Sequence, residues 1–271
     1  MTLGRHIREL ADGFSSRRLR AAFLGTMGLI VFLYPFGIAF VAGGLLPDEY
    51  SWTASVVIAL NGVVVLLSEL RFVPARTAIG GFALLVAALF VAEYIGSHTG
   101  YPFGPYAYTD ALGLRLGGVP PVIAIAWYGT VMCGWRMVQG AGRRPGIWWS
   151  AALAAMIAVA LDIVLEPVAT EVERYWLWEG GRVPFQNYVS WFFFTLLAVL
   201  LLSSRASRTS APPSGLVRSA GLIFGMQWGL FVMTNLAYAA LGPVLVSAGV
   251  LLMVLLLLRL RRGGGPEEVA A

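Results

Sequence analysis

The chain has 271 residues, of which 58% are hydrophobic and 12% charged, with a mean hydropathy of +0.77. A soluble domain has an apolar share of only about 45–50%, so these figures exclude an ordinary water-soluble fold and predict an all-α polytopic membrane protein. The formal charge of +5 reflects nineteen basic residues, all arginine, spread between apolar runs rather than gathered in a patch, which excludes nucleic-acid binding; one cysteine (Cys133) and two histidines (His6, His98) leave no disulfide framework and no multi-His metal site.

In chain order, residues 1–20 hold Arg5, Arg8, Arg17, Arg18 and Arg20 and read as a short helix on the inner membrane surface. Eight runs long enough to cross about 30 Å of hydrocarbon follow, near 21–43, 52–69, 76–96, 119–137, 147–166, 187–203, 216–238 and 243–260. The first follows an arginine-rich start, as a signal peptide would. It has no small-residue cleavage site, so it reads as a retained span. Sixteen arginines fall on one side of this alternation, and only Arg115, Arg174 and Arg182 on the other. Positive charge collects on the cytoplasmic side, so both termini are expected there, in a bacterial cytoplasmic membrane. The expected organisation is a cytoplasmic segment (1–20), an eight-helix transmembrane domain (21–260) and a cytoplasmic tail (261–271).

The connection SSRASRTSAPPSG between spans six and seven reads as a flexible cytoplasmic link, and the two long loops face outward. One is the stretch EYIGSHTGYPFGPYAY, Glu93–Tyr108. Its apolar run is expected to stop at Gly96, because Gly96, Gly100 and Gly104 with Pro102 and Pro105 cannot continue an ordinary helix; Tyr101, Phe103, Tyr106 and Tyr108 then form a re-entrant aromatic loop. The other runs from Pro167 to Gln186 and holds Trp176 and Trp178. Aromatics with a polar tip suit a membrane interface as well as a substrate wall. No internal repeat of the kind many secondary transporters show is visible.

Glu93 lies inside an apolar run, where a charge costs on the order of 3 kcal/mol on the most lenient insertion scale, so it is a functional candidate by default. Asp162 and Glu166 stand four apart in span five and share a helix face, with Pro167 expected to end that helix. Spans three and five both run outward, which brings the three carboxyls to one depth, with no arginine inside a span to neutralise them. Asn187 and Trp191 start span six, and Asn235 ends span seven, at the same level. Single amides such as Asn61, Gln227 and Asn235 also serve as ties between helices. Three carboxyls crowded away from water cannot all be charged, so at least one is expected to hold its proton: an acid beside an apolar cavity. The histidine boxes of membrane iron oxygenases, the Asp-rich clusters of prenyltransferases and the GxGxxG of dinucleotide enzymes are missing. Cofactor-free acid chemistry remains, or proton-coupled transport of a lipophilic solute.

Three stretches together resemble a known family: Glu93-Tyr-Ile-Gly with Thr99-Gly-Tyr-Pro-Phe-Gly-Pro-Tyr-Ala-Tyr108; Asp162 with Leu165-Glu166-Pro167; and Trp176-Leu-Trp178 through Pro184 to Asn187 and Trp191. They resemble the membrane-bound carotenoid hydratases of the CruF type. The resemblance covers spans three to six, with Gly118-Val119-Pro120 between. It implies addition of water across the terminal 1,2 double bond of an acyclic carotenoid of the lycopene, gamma-carotene or bisanhydrobacterioruberin kind, without cofactor or metal, in a membrane shared with lipids and other carotenoid-pathway enzymes. Two positions depart from the family pattern: Glu166 stands where an Asp is usual, and Arg182-Val183 where Tyr-Gly is usual. The expected site is then Glu93, Asp162 and Glu166 as catalytic carboxyls, with Gly96, Gly100, Phe103, Gly104, Tyr106, Tyr108, Trp176, Trp178, Asn187, Trp191 and Asn235 around the substrate. An end-group isomerase or cyclase would use the same acid and exclude water.

Overall fold

The computed structural model describes residues 9–141, 146–203 and 212–263, with side chains described to residue 260. Among these, eight long helices follow one another: α1 (Arg17–Ala42), α2 (Thr53–Glu69), α3 (Ala75–Thr99), α4 (Pro121–Gln139), α5 (Ile147–Pro167), α6 (Phe185–Ser203), α7 (Ser214–Ala237) and α8 (Leu241–Gly263). Each lies on one of the eight apolar runs. Seven helical stretches are long and apolar enough to cross a membrane; α4, with Arg136 and Gln139 in its last turn, is the exception. Residues 204–211 of the expected flexible link, residues 142–145 with Arg143 and Arg144, the first eight residues and the tail beyond 263 lie outside the described residues.

The bundle is built around α4 and α5. Ala151, Ala154, Ala155, Ala158 and Ala160 of α5 are all fully buried, and these small side chains let α4, α6, α7 and α8 approach its backbone closely. By contrast, only about a tenth of the apolar stretch of α1 or α8 is buried, so both form the bundle's outer faces.

Two expectations are corrected and two are extended. First, α3 does not stop at Gly96 but runs to Thr99, because Thr99 Oγ1 donates to the Ile95 carbonyl (2.7 Å) and Gly100, at φ 73°, caps the turn. Second, Pro167 ends the α-helix as expected, but the helical path continues past it. It lacks an N–H, but the ladder widens into a π-turn over Val168–Val172, and Asn235 Nδ2 donates to the Val164 carbonyl at 2.7 Å. Third, an arginine does lie inside a helix: Arg136 is buried and forks onto both carboxylate oxygens of Glu69, with Gln139 accepting from it at 2.6 Å. Its place at the end of α4 opposite to Pro121 keeps it away from Glu93, Asp162 and Glu166. Fourth, the aromatic loop is ordered by a strand. Its strand β1 (Tyr106–Tyr108) pairs antiparallel with β2 (Trp176–Trp178) from the other long loop, Tyr106 opposite Trp178 and Tyr108 opposite Trp176.

Candidate active site

That two-stranded ribbon makes the roof of the site. Alternation along a strand puts residues i and i+2 on one face, so Tyr106, Tyr108, Trp176 and Trp178 point inward while Leu177 is exposed. The ribbon is anchored at its Tyr106–Trp178 end. Ser190 Oγ of α6 donates to the Pro102 carbonyl (2.9 Å), and Gly104, at φ 112°, lies so close to Pro184 that a Cβ would sit 2.6 Å from its ring.

Under the roof, α3, α4, α5 and α6 enclose a cavity of about 60 Å³. Glu93, Asp162 and Glu166, all nearly fully buried, line it together, as do Asn187 and Trp191. No arginine or histidine lines it among the described residues.

The three carboxyls differ in their hydrogen bonds. Glu93 Oε2 accepts from both the Tyr106 and Tyr108 hydroxyls, the latter at 2.6 Å. Glu166 accepts three N–H groups: the indoles of Trp176 (3.2 Å) and Trp178 (3.0 Å) on Oε2, and Asn187 Nδ2 (3.0 Å) on Oε1. Among the described residues, Asp162 accepts only the second Asn187 contact, at 3.2 Å on Oδ2. Burial, reinforced by the Glu93 charge, pushes the ribbon phenols of Tyr106 and Tyr108 above the ordinary tyrosine range, so both stay protonated donors.

Of the expected substrate-binding residues, Phe103, Tyr106, Tyr108, Trp176, Trp178, Asn187 and Trp191 line the cavity. The glycines do not; they shape it. A Cβ on Gly96 would fall 2.4 Å from Phe103, and Gly100 and Gly104 take positive φ in the turn. Asn235 sits behind α5, donating to Val164 and Phe231 carbonyls at 2.7 Å, and does not reach the cavity.

The contribution of α4 escaped sequence reading. Ile123, Ala126, Trp127 and Thr130 form the inner wall, and the Trp127 indole lies flat on Trp191 (centroids 3.4 Å, 14° between planes), with Phe103 stacked on Trp191 at 4.9 Å. The only sequence hint is the Trp127-Tyr128 pair with Thr130 in the middle of an apolar run.

Residues 53–256 match the family described as carotenoid biosynthesis protein. The chain belongs to the carotenoid biosynthesis protein family. It is also similar to a bisanhydrobacterioruberin hydratase of Haloarcula japonica, 30% identical over 168 residues that make up 59% of this chain and 57% of that relative. The chain thus matches less than two thirds of the relative's length. No solved structure matches.

Proposed function

We propose that this family member is a carotenoid hydratase of the cytoplasmic membrane, adding water across the terminal double bond of an acyclic carotenoid without cofactor or metal. The observation that carries the reading is the unequal hydrogen bonding of three carboxyls on one cavity. A carboxylate is stabilised by each N–H or O–H aimed at it, so Glu166 with three donors and Glu93 with two phenols are suited to the charged form. Asp162, with one long contact from Asn187, is suited to hold the proton.

The reaction follows from that division. Asp162 gives its proton to the less substituted alkene carbon, leaving a tertiary cation. The faces of Tyr and Trp side chains around the cavity, together with charged Glu93, stabilise that cation. A water held by Glu166 adds its oxygen to the cation and passes a proton to the Glu166 carboxylate. Return of that proton to Asp162 through water restores the site, while the Asn187 amide, donating to both carboxyls, holds them side by side. The net change is one water added and one tertiary alcohol formed.

Membranes holding the protein, supplied with lycopene, are expected to yield a product heavier by one water. Assayed without oxygen gas in ¹⁸O-labelled water, the alcohol carries the label. Unlabelled alcohol, or a strict need for oxygen, rejects the hydratase reading. An isomerised or cyclised product of unchanged mass assigns the same acid to a water-excluding reaction, and unaltered substrate moved across the membrane points to transport.

A further inference from the structure

A cavity of about 60 Å³ has no room for a whole elongated polyene, so at most its end group enters. The rest of the chain must leave through one wall. The roof is the ribbon, and α4, α5 and α6 pack against one another. In contrast, α3 and α6 flank the cavity and hardly touch. They close up near the cytoplasmic end, where a Cβ on Gly81 would lie 3.3 Å from Leu202. At the outer end Phe103 fills the gap, wedged between Gly96 of α3 and Trp191 of α6. From Trp191 to Leu202, eleven residues of helix, the slit is about 16 Å long.

Through this slit α4 is reached from the bilayer. Although α4 is one of the two helices at the centre of the bundle, Trp127 on it is only partly buried, and its indole continues the parallel stack of Trp191 and Phe103. Phe194 of α6, also partly buried, leans on Phe103 and Trp191 at one edge (centroids 5.6 and 5.9 Å), and Ala88 of α3, exposed and seven residues after Gly81 on the same helix face, stands at the other. Flat faces in parallel suit a flat conjugated chain better than a flexible saturated one. We propose that the slit between α3 and α6 is the polyene-binding subsite and lateral entrance, the chain lying against Trp127 and Trp191 with its end group inside the cavity. This rests on the carotenoid reading above.

A larger apolar groove of about 390 Å³ lies on the other side of α6, between α5, α6 and α8, lined by Tyr188 and Phe192. Adjacent residues of α6 face the two spaces, Asn187 and Trp191 the cavity and Tyr188 and Phe192 the groove. The packed α5–α6 seam therefore stands between the groove and the carboxyls, and the groove is the natural control.

The test uses the Asp162→Asn protein in lipid nanodiscs, titrated with lycopene and followed by the circular dichroism that an achiral polyene acquires in a chiral site. Phe194→Trp on one side of the slit, and Ala88→Trp on the other, are expected to weaken binding at least tenfold. Val250→Trp, which fills the groove from α8, is expected to leave it unchanged. The slit is overturned if both slit variants bind like the parent, or if Val250→Trp alone abolishes binding. Should that happen while the wild-type protein still hydrates lycopene, the reaction stands and only the subsite falls. If the wild-type protein neither binds nor hydrates lycopene, both fall.

Discussion

At the residue scale, each carboxyl has a distinct environment, and each environment predicts a distinct variant. Asp162→Asn keeps shape and the Asn187 contact but removes the transferable proton; general acid help is typically worth ~10² to 10⁴-fold, so turnover falls by at least ~10² while folded protein accumulates normally. Glu93→Gln loses a charge that two phenols hold in place, and its turnover is expected to fall comparably. Glu166→Gln still accepts the indole N–H groups and is expected to lose less. Rates and yields of the three amides measured side by side decide the matter. Near-parental rates for both Asp162→Asn and Glu93→Gln, with low yield only for alanine replacements, would mean the carboxyls serve packing rather than chemistry.

At the element scale, the ribbon and the Glu69–Arg136 pair do separate jobs. Gly96→Ala forces a methyl against Phe103, which is already stacked on Trp191. The ring must tilt, and a shift of about 1 Å at a site of this kind costs about 10²-fold in rate; assay of folded protein is expected to show that loss, with a drop in thermal stability of about 1–3 kcal/mol, the usual cost of overpacking a filled site. At the far end of α4, Glu69→Gln leaves the buried Arg136 guanidinium without its counter-charge. Breaking a buried pair from one side costs about 3–5 kcal/mol. Thermal unfolding in detergent is expected to show the large drop, while the protein that remains folded keeps its rate. Loss of rate without loss of stability would instead tie this inner cluster to catalysis.

At the scale of the whole molecule, the arginine distribution predicts eight crossings with both termini inside. Reporter fusions after Arg144 and Arg208 are expected to report cytoplasm, and one near Glu173 the exterior. The reverse pattern would turn the site toward the cytoplasm and reject the orientation. The doubtful crossing by composition is α4, and its character follows from its position: a helix covered by neighbours on nearly every face has no need of a uniformly apolar surface. Arg136 and Gln139 are tolerated there because Glu69 and each other satisfy them.

Helix positions were readable from the sequence because hydrocarbon demands long apolar runs whose backbone bonds are satisfied within each run. The gathering of Glu93, Asp162, Glu166, Asn187 and Trp191 was readable too, since alternating crossings fix which helix ends share a side, and carboxyls in such runs need a reason. Asn235 shows where that logic stops. Depth follows from counting residues, but the direction a side chain faces depends on how each helix is rotated against its neighbours, and Asn235 turned out to clamp the carbonyls behind α5. Pairing Tyr106-Ala-Tyr108 with Trp176-Leu-Trp178 was likewise a tertiary decision. Two three-residue strands nearly seventy residues apart have no local signal strong enough to name each other, and only the packing of α3 and α5 on either side of α4 brings their edges into register. The same holds for Trp127: its run reads as plain apolar span until α4 is set between α3, α5 and α6, and only then does its indole become a wall of the site.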